Sequence, residues 1–167
     1  LGAGSGWMSE FLAVMKFKAI ATTISHNSIK QIESRISSLK QKEFPVTLQC
    51  YETPMESVAE FFKNKNVLPF DAVFVFEALH HAYDWQKSLK SAFDCLDRGG
   101  WLIICNEPNL VHTFVSYRIA KLSNTHEIGM SKLSLMKTLK QIGFRKVVCL
   151  NNRLHLLIKP HWIAAQK

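Results

Sequence analysis

Leu1-Gly2-Ala3-Gly4-Ser5-Gly6 opens the chain, with glycine at every second position and Trp7 beginning an apolar pattern behind it. Glycine has no Cβ and tolerates positive φ, so such a run lets backbone approach a ligand closely, and a helix after it presents unbonded amides at its first turn. A tight turn with no ligand would use glycine for the same steric reason. The reading therefore depends on the rest of the chain.

Trp7, Phe11, Leu12 and Met15 recur at helical spacing, and residues 18–24, rich in Ala, Thr and Ile, read as a short strand. Ser25 or Asn27 can cap a second helix whose apolar positions Ile29, Ile32, Ile36 and Leu39 keep the 3.6-residue period until Phe44-Pro45 stops it. Residues 46–50 form the next expected strand, and residues 56–64, with Val58, Phe61 and Phe62, a short helix. The unit then repeats. Residues 70–76 are apolar except for Asp71, as expected of a parallel strand buried on both faces. Residues 85–96 read as an amphipathic helix, Asp97-Arg98-Gly99-Gly100 as a turn, and 101–105 as a strand.

Residues 109–126 suit a helix with a lid-like loop after it, and 131–142 a helix capped by Gly143. Two strands, 144–150 and 154–158, are separated by only Asn151-Asn152-Arg153 and should pair as an antiparallel hairpin. Helices alternating with buried strands predict an open, mostly parallel α/β sheet, a three-layer sandwich with a C-terminal antiparallel hairpin. Ligands of such sheets sit beyond the carboxyl ends of the strands. That is where the glycine run, Thr22-Thr23, Glu52-Thr53, 77–81 and Asn106-Glu107-Pro108 fall.

A chain of 167 residues, 47% hydrophobic and 20% charged, suits a single domain over 1–167. No run approaches the roughly 18 consecutive apolar residues that a spanning helix needs, and residues 1–15 have no basic segment of the secretory kind, so a cytoplasmic protein is expected. The four cysteines form no Cys-x-x-Cys pair and read as reduced core residues. A net charge of +8 favours anionic partners, but the basic residues are dispersed. Those in 30–42 have the spacing of a solvated helix face, which argues against a dedicated nucleic-acid surface.

Taken in order, these segments resemble class I S-adenosylmethionine-dependent methyltransferases, of the type 11 or 12 kind. Leu1 to Gly6 is similar to the family's first motif, and Phe70-Asp71-Ala72-Val73 with Glu77-Ala78-Leu79-His80-His81 to its fourth-strand motif. Leu96 to Ile104, followed by Glu107-Pro108, resembles the segment in which a helix ends in Gly-Gly before the fifth strand. Gly143-Phe144 and Trp162-Ile163-Ala164 resemble the final hairpin region. The resemblance covers nearly the whole chain. It implies a Rossmann-like sheet whose first strand is largely missing from a sequence that begins at Leu1.

The same resemblance implies S-adenosyl-L-methionine as cofactor. Gly2, Ala3, Gly4 and Gly6 would wrap its methionine part, Glu52 and Thr53 would meet the adenine, and Phe76 and Glu77 would lie beside the sulfonium and amino-acid end. Thr23 stands where the family has an acid for the ribose hydroxyls. A threonine makes one hydrogen bond where a carboxylate makes two charge-assisted ones, a loss of about 1 to 3 kcal/mol.

Each residue also has a plainer reading. Glu52 can be a solvated loop residue, Glu77 a helix cap, and Trp7, Tyr51 and Trp85 core or rim residues. His80-His81 invites a metal or base reading, yet no Asp, Cys or third His stands at ligand spacing, and no metal is expected. Methyl transfer from a sulfonium needs positioning more than a catalytic residue, so none is assigned; His81 or His80 would be the first candidate bases. The acceptor is expected to be small or lipid-like. A rival reading is a methyltransferase-like binding module with weakened cofactor affinity, on the strength of Thr23. An NAD-dependent oxidoreductase is disfavoured because the loop is G-x-G-x-G rather than G-x-G-x-x-G.

Overall fold

The computed structural model of the chain describes residues 1–151 and 160–167. The chain folds as two compact units, Leu1–Met55 and Glu56–Lys167.

In the first unit the glycine turn leads into α1 (Trp7–Val14), followed by β1 (Ala19–Thr23), α2 (His26–Gln41) and β2 (Leu48–Glu52). The strands pair in parallel from Ala19 opposite Leu48 to Thr23 opposite Glu52. Of the two expected caps, Ser25 starts α2: its hydroxyl accepts the Ser28 N–H at 3.2 Å. The α2 stripe buries Ile32 and Leu39 as its period required. Ile32 joins Ala13, Ala21 and Leu48 in the core of this unit. On α1 the helix is as expected but the buried side differs, since Trp7, Phe11 and Met15 are 50%, 60% and 54% exposed while Ala13 is buried. The side chain that α1 adds to this core is a methyl group, which lets the helix approach β1 and α2 more closely than a large residue would.

The second unit contains α3 (Val58–Asn64), β3 (Phe70–Phe76), a single 3-10 turn at Leu79–His81, α4 (Trp85–Cys95), β4 (Leu96–Glu107), α5 (Leu110–Ser123), α6 (Lys132–Ile142), β5 (Lys146–Cys149) and β6 (His161–Gln166). Its sheet has the order β3-β4-β6-β5. The β3–β4 pairing is parallel, while β6 runs antiparallel to both of its neighbours. The C-terminal antiparallel pair is therefore β5 with β6. The strand expected over 154–158 lies outside the described residues.

Three features of this sheet differ from expectation in detail. β4 begins at Leu96 rather than Trp101: Phe70 pairs with Leu96 and Ala72 with Trp101, so 97–100 form a bulge inside the strand rather than a turn before it. Gly99, at φ 79°, and Gly100, whose added Cβ would lie 3.0 Å from the Asp71 carbonyl, allow that bulge. β3 is not buried along its length; Val73 and Val75 are buried while Asp71 and Ala72 are exposed, because it is the outer strand of this four-stranded sheet. β6 sits between two strands and buries His161, Ile163, Ala164 and Ala165. Among the described residues no helix is long and apolar enough to cross a membrane.

Candidate functional site

The carboxyl ends of β1 and β2 bring seven of the expected cofactor residues into one neighbourhood. Gly2, Gly4 and Gly6 all have left-handed backbone, with φ of 63°, 50° and 81°, the conformation that only glycine adopts without strain. The Ala3 N–H donates to the Thr22 carbonyl at 2.7 Å and the Gly6 N–H to the Ala3 carbonyl at 2.8 Å, which lays the turn against the end of β1. Because these two amides are used within the unit, Ala3 and Gly6 offer a ligand close approach rather than donors. Gly6 also has a packing role, since a Cβ there would sit 2.5 Å from Ile32 Cγ1. At Gly4 a Cβ would meet nothing within 4 Å. The turn is closed below and open at its tip.

Beside it, Thr23 is buried and its hydroxyl oxygen accepts the Ser25 N–H at 3.3 Å, which leaves the hydroxyl proton to donate. Its carbonyl accepts the Thr53 N–H at 3.0 Å, and Glu52 lies opposite it in register. Glu52 Oε2 is 3.2 Å from His26 Nδ1, and both side chains are exposed, so this pair is worth little to stability. The buried Thr22 hydroxyl has no hydrogen-bond partner among the described residues. Bare backbone at the tip, a spare hydroxyl proton and an exposed carboxylate suit the polyhydroxylated, cationic cofactor that the resemblance implies.

Phe76 and Glu77 end β3 in the second unit. Phe76 is half-buried, set edge-on to Trp162 with centroids 6.2 Å apart. Glu77 has φ 48°, donates its N–H to the Cys105 carbonyl at 2.9 Å and exposes its side chain. It caps no helix: Ala78 precedes the 3-10 turn, and Asp84 caps α4 by accepting the Lys87 N–H at 2.9 Å.

Behind Glu77 lies a residue that sequence reasoning placed at a strand end without giving it a role. Glu107, the last residue of β4, is fully buried. Its Oε1 accepts the N–H groups of Ala78 and Leu79 at 2.7 and 2.9 Å; its Oε2 accepts the His80 N–H at 3.1 Å and lies 2.9 Å from His80 Nδ1. Four donors surround this carboxylate, the condition under which a buried acid is tolerated. Beyond the His80 ring stand His112 from α5 and Glu127 from the loop before α6. Glu127 Oε2 is 3.7 Å from His80 Nε2 and 3.1 Å from His112 Nε2, and its Oε1 is 3.1 Å from His81 Nδ1. His112 and Glu127 lie 32 and 47 positions after His80 in the sequence, beyond any local spacing rule, and only the packing of α5 and the loop after it reveals them.

The four cysteines are free. Burial pushes the Cys95 thiol up from its ordinary 9.0 to about 12, with Asp94 adding to the effect. Burial likewise raises Cys50 and Cys105. Cys95 and Cys105 are buried, as expected of core residues, while Cys50 and Cys149 are only partly buried.

The family model described as "Methyltransferase domain" matches residues 1–104. No curated protein matches the sequence. Among solved structures, the magnesium protoporphyrin IX methyltransferase of Synechocystis PCC 6803, with bound SAH, superimposes with a TM-score of 0.71 at 15% identity, covering 99% of this chain and 71% of that one. A SAM-dependent methyltransferase from Archaeoglobus fulgidus gives 0.70 at 16%, covering 99% and 83%. A possible histamine N-methyltransferase from Thermotoga maritima gives 0.62 at 19%, covering 100% and 79%. At such identities the structures establish the Rossmann-like α/β fold, and the match over 1–104 establishes the family. The chain belongs to the methyltransferase-domain family, and is a class I S-adenosylmethionine-dependent methyltransferase.

Proposed function

We propose that this methyltransferase acts on a small or lipid-like acceptor and binds S-adenosyl-L-methionine through Gly2, Ala3, Gly4, Gly6, Thr23, Glu52 and Thr53, with Phe76 and Glu77 as further cofactor residues. The observation that carries the site is the glycine turn at the end of β1, left-handed at three glycines and open at Gly4. When bound, the cofactor supplies an electrophilic methyl group and a neutral leaving group, so the protein's task is to position the acceptor and exclude water. Thr23 would donate one hydrogen bond to the ribose. Glu52 is the acidic side chain opposite it.

A lipid-like acceptor is supported by α5, which exposes Phe114, Val115, Tyr117, Ile119 and Leu122. Exposed large apolar residues in such number on one helix mark a binding surface more often than a solvated face. One domain over 1–167 is part of this reading; the family match spans the first unit and enters the second as far as residue 104. Four cysteines without a disulfide suit a reducing, cytoplasmic setting. The dispersed positive charge supports no dedicated nucleic-acid surface.

A second reading, a binding module with weakened cofactor affinity, is favoured by Thr23, which has one hydroxyl proton to give where a carboxylate would accept from two ribose hydroxyls. Calorimetric titration with S-adenosylhomocysteine decides between them. The enzyme reading expects binding by the native chain and, in Thr23→Asp, an affinity roughly tenfold or more higher, since a carboxylate can hold both ribose hydroxyls. Absence of heat at millimolar ligand in both proteins would favour the module.

A further inference from the structure

We propose that His80, His112 and Glu127 form a binding site for a divalent transition-metal ion, zinc by the chemistry of its donors. One ligand atom from each of the three residues lies within 4.8 Å of the others. Bonds of about 2.0–2.2 Å to a tetrahedral zinc place its ligand atoms roughly 3.3 Å apart. The Glu127 Oε2 distances of 3.1 Å to His112 Nε2 and 3.7 Å to His80 Nε2 bracket that separation. Two imidazoles and one carboxylate suit zinc and its transition-metal neighbours; calcium and magnesium take oxygen.

The supporting structure separates this cluster from a chance gathering of histidines. The His80 ring is buried, and its Nδ1 is held at 2.9 Å by the Glu107 carboxylate, which three consecutive backbone N–H groups fix in turn. A carboxylate on one ring nitrogen sets the tautomer so that the other nitrogen, here Nε2, carries the lone pair, the arrangement that orients metal-ligating histidines. Glu127 is placed as firmly. The N–H of Ile128 donates to the His80 carbonyl at 3.1 Å, and the N–H of Gly129 to Thr113 Oγ1 at 2.8 Å. An added Cβ at Gly129 would lie 1.8 Å from the Asn109 carbonyl oxygen, so the loop bearing Glu127 can take this path only with glycine there. His112 stands in the first turn of α5, after the Asn109 cap.

His81 is half-exposed, with Nδ1 3.1 Å from Glu127 Oε1. Three protein ligands fall one short of the four of a closed tetrahedral site, the composition of an open rather than a closed zinc site. Without an ion, Glu127 would accept a hydrogen bond from His112 Nε2 and pair with His81 Nδ1. The inference is independent of methyl transfer and of the cofactor residues.

Cobalt(II) titrated into the chelator-stripped full chain tests it, with the intensity of the visible d–d bands reporting coordination. We expect saturation at one ion per chain, bands of four- or five-coordinate nitrogen and oxygen ligation, and displacement by zinc. H112A and E127A should each abolish the bands while keeping the native circular dichroism, which is reasonable because both side chains reach the surface. H26Q, which removes an exposed histidine elsewhere, should leave them unchanged. A folded native chain that gives no such bands, or bands that survive both H112A and E127A, would overturn the site in favour of a purely hydrogen-bonded cluster.

Discussion

Glycines with similar backbone in the opening turn have unlike neighbours, and the difference can be measured. Gly6→Ala forces a Cβ into the Ile32 side chain at 2.5 Å and strains a φ of 81°. We predict a loss on the order of 2–3 kcal/mol in a urea titration, from overpacking added to left-handed strain. Gly4→Ala meets no neighbour within 4 Å and should cost only about 1 kcal/mol for its φ of 50°. Its larger effect should be on S-adenosylhomocysteine affinity, read by calorimetry, because a methyl group would then project from the open tip of the turn. Equal stability losses in the two variants would mean that the turn is packed alike at both positions. The glycine pattern was visible in the sequence because steric freedom belongs to the residue itself. Which glycine faces a neighbour and which faces open space was not, since Ile32 arrives from another helix.

At the scale of elements, periodicity was readable, capping only at Ser25 and Gly143, and burial partners less so. Ser25, Asp84 and Ser131 each accept the backbone N–H three residues ahead, at the starts of α2, α4 and α6. Asp84→Ala should destabilise the protein by about 1 kcal/mol, seen as a lower urea midpoint with unchanged slope. No change would show that water caps α4 equally well. On α5 the outcome should reverse: Phe114, 82% exposed, should tolerate Phe114→Ser with a stability change within about 0.5 kcal/mol, while turnover of an apolar acceptor falls. Loss of stability instead would make the exposed face structural. The β4 bulge was read as a turn because Asp-Arg-Gly-Gly has turn chemistry, and only pairing with β3 shows that the strand continues through it. The unburied large residues of α1 have the same origin. Period 3.6 identifies a helix, but it does not say which side meets the core.

For the molecule as a whole, the buried thiols predict a dependence on pH. Cys95 titrates near its ordinary 9.0 in the unfolded chain and near 12 in the folded one, so its contribution to stability is complete below about pH 9 and is lost as the pH rises toward 12. Urea unfolding repeated from neutral pH to about pH 10 should show a steeper loss in the native protein than in Cys95→Ala, the slopes differing by up to one proton's worth per pH unit. Matching slopes would place the thiol in water. By itself the sequence determined the alternation of helices and strands, the family, and the glycine turn at the start of the chain, because propensity, glycine sterics and hydrophobic period are carried by neighbouring residues. Only the tertiary structure decided that β4 continues through its Gly-Gly bulge, that Glu107 is buried beneath four donors, and that His112 and Glu127 face His80. Those contacts join residues far apart in sequence, where no local preference indicates which will meet.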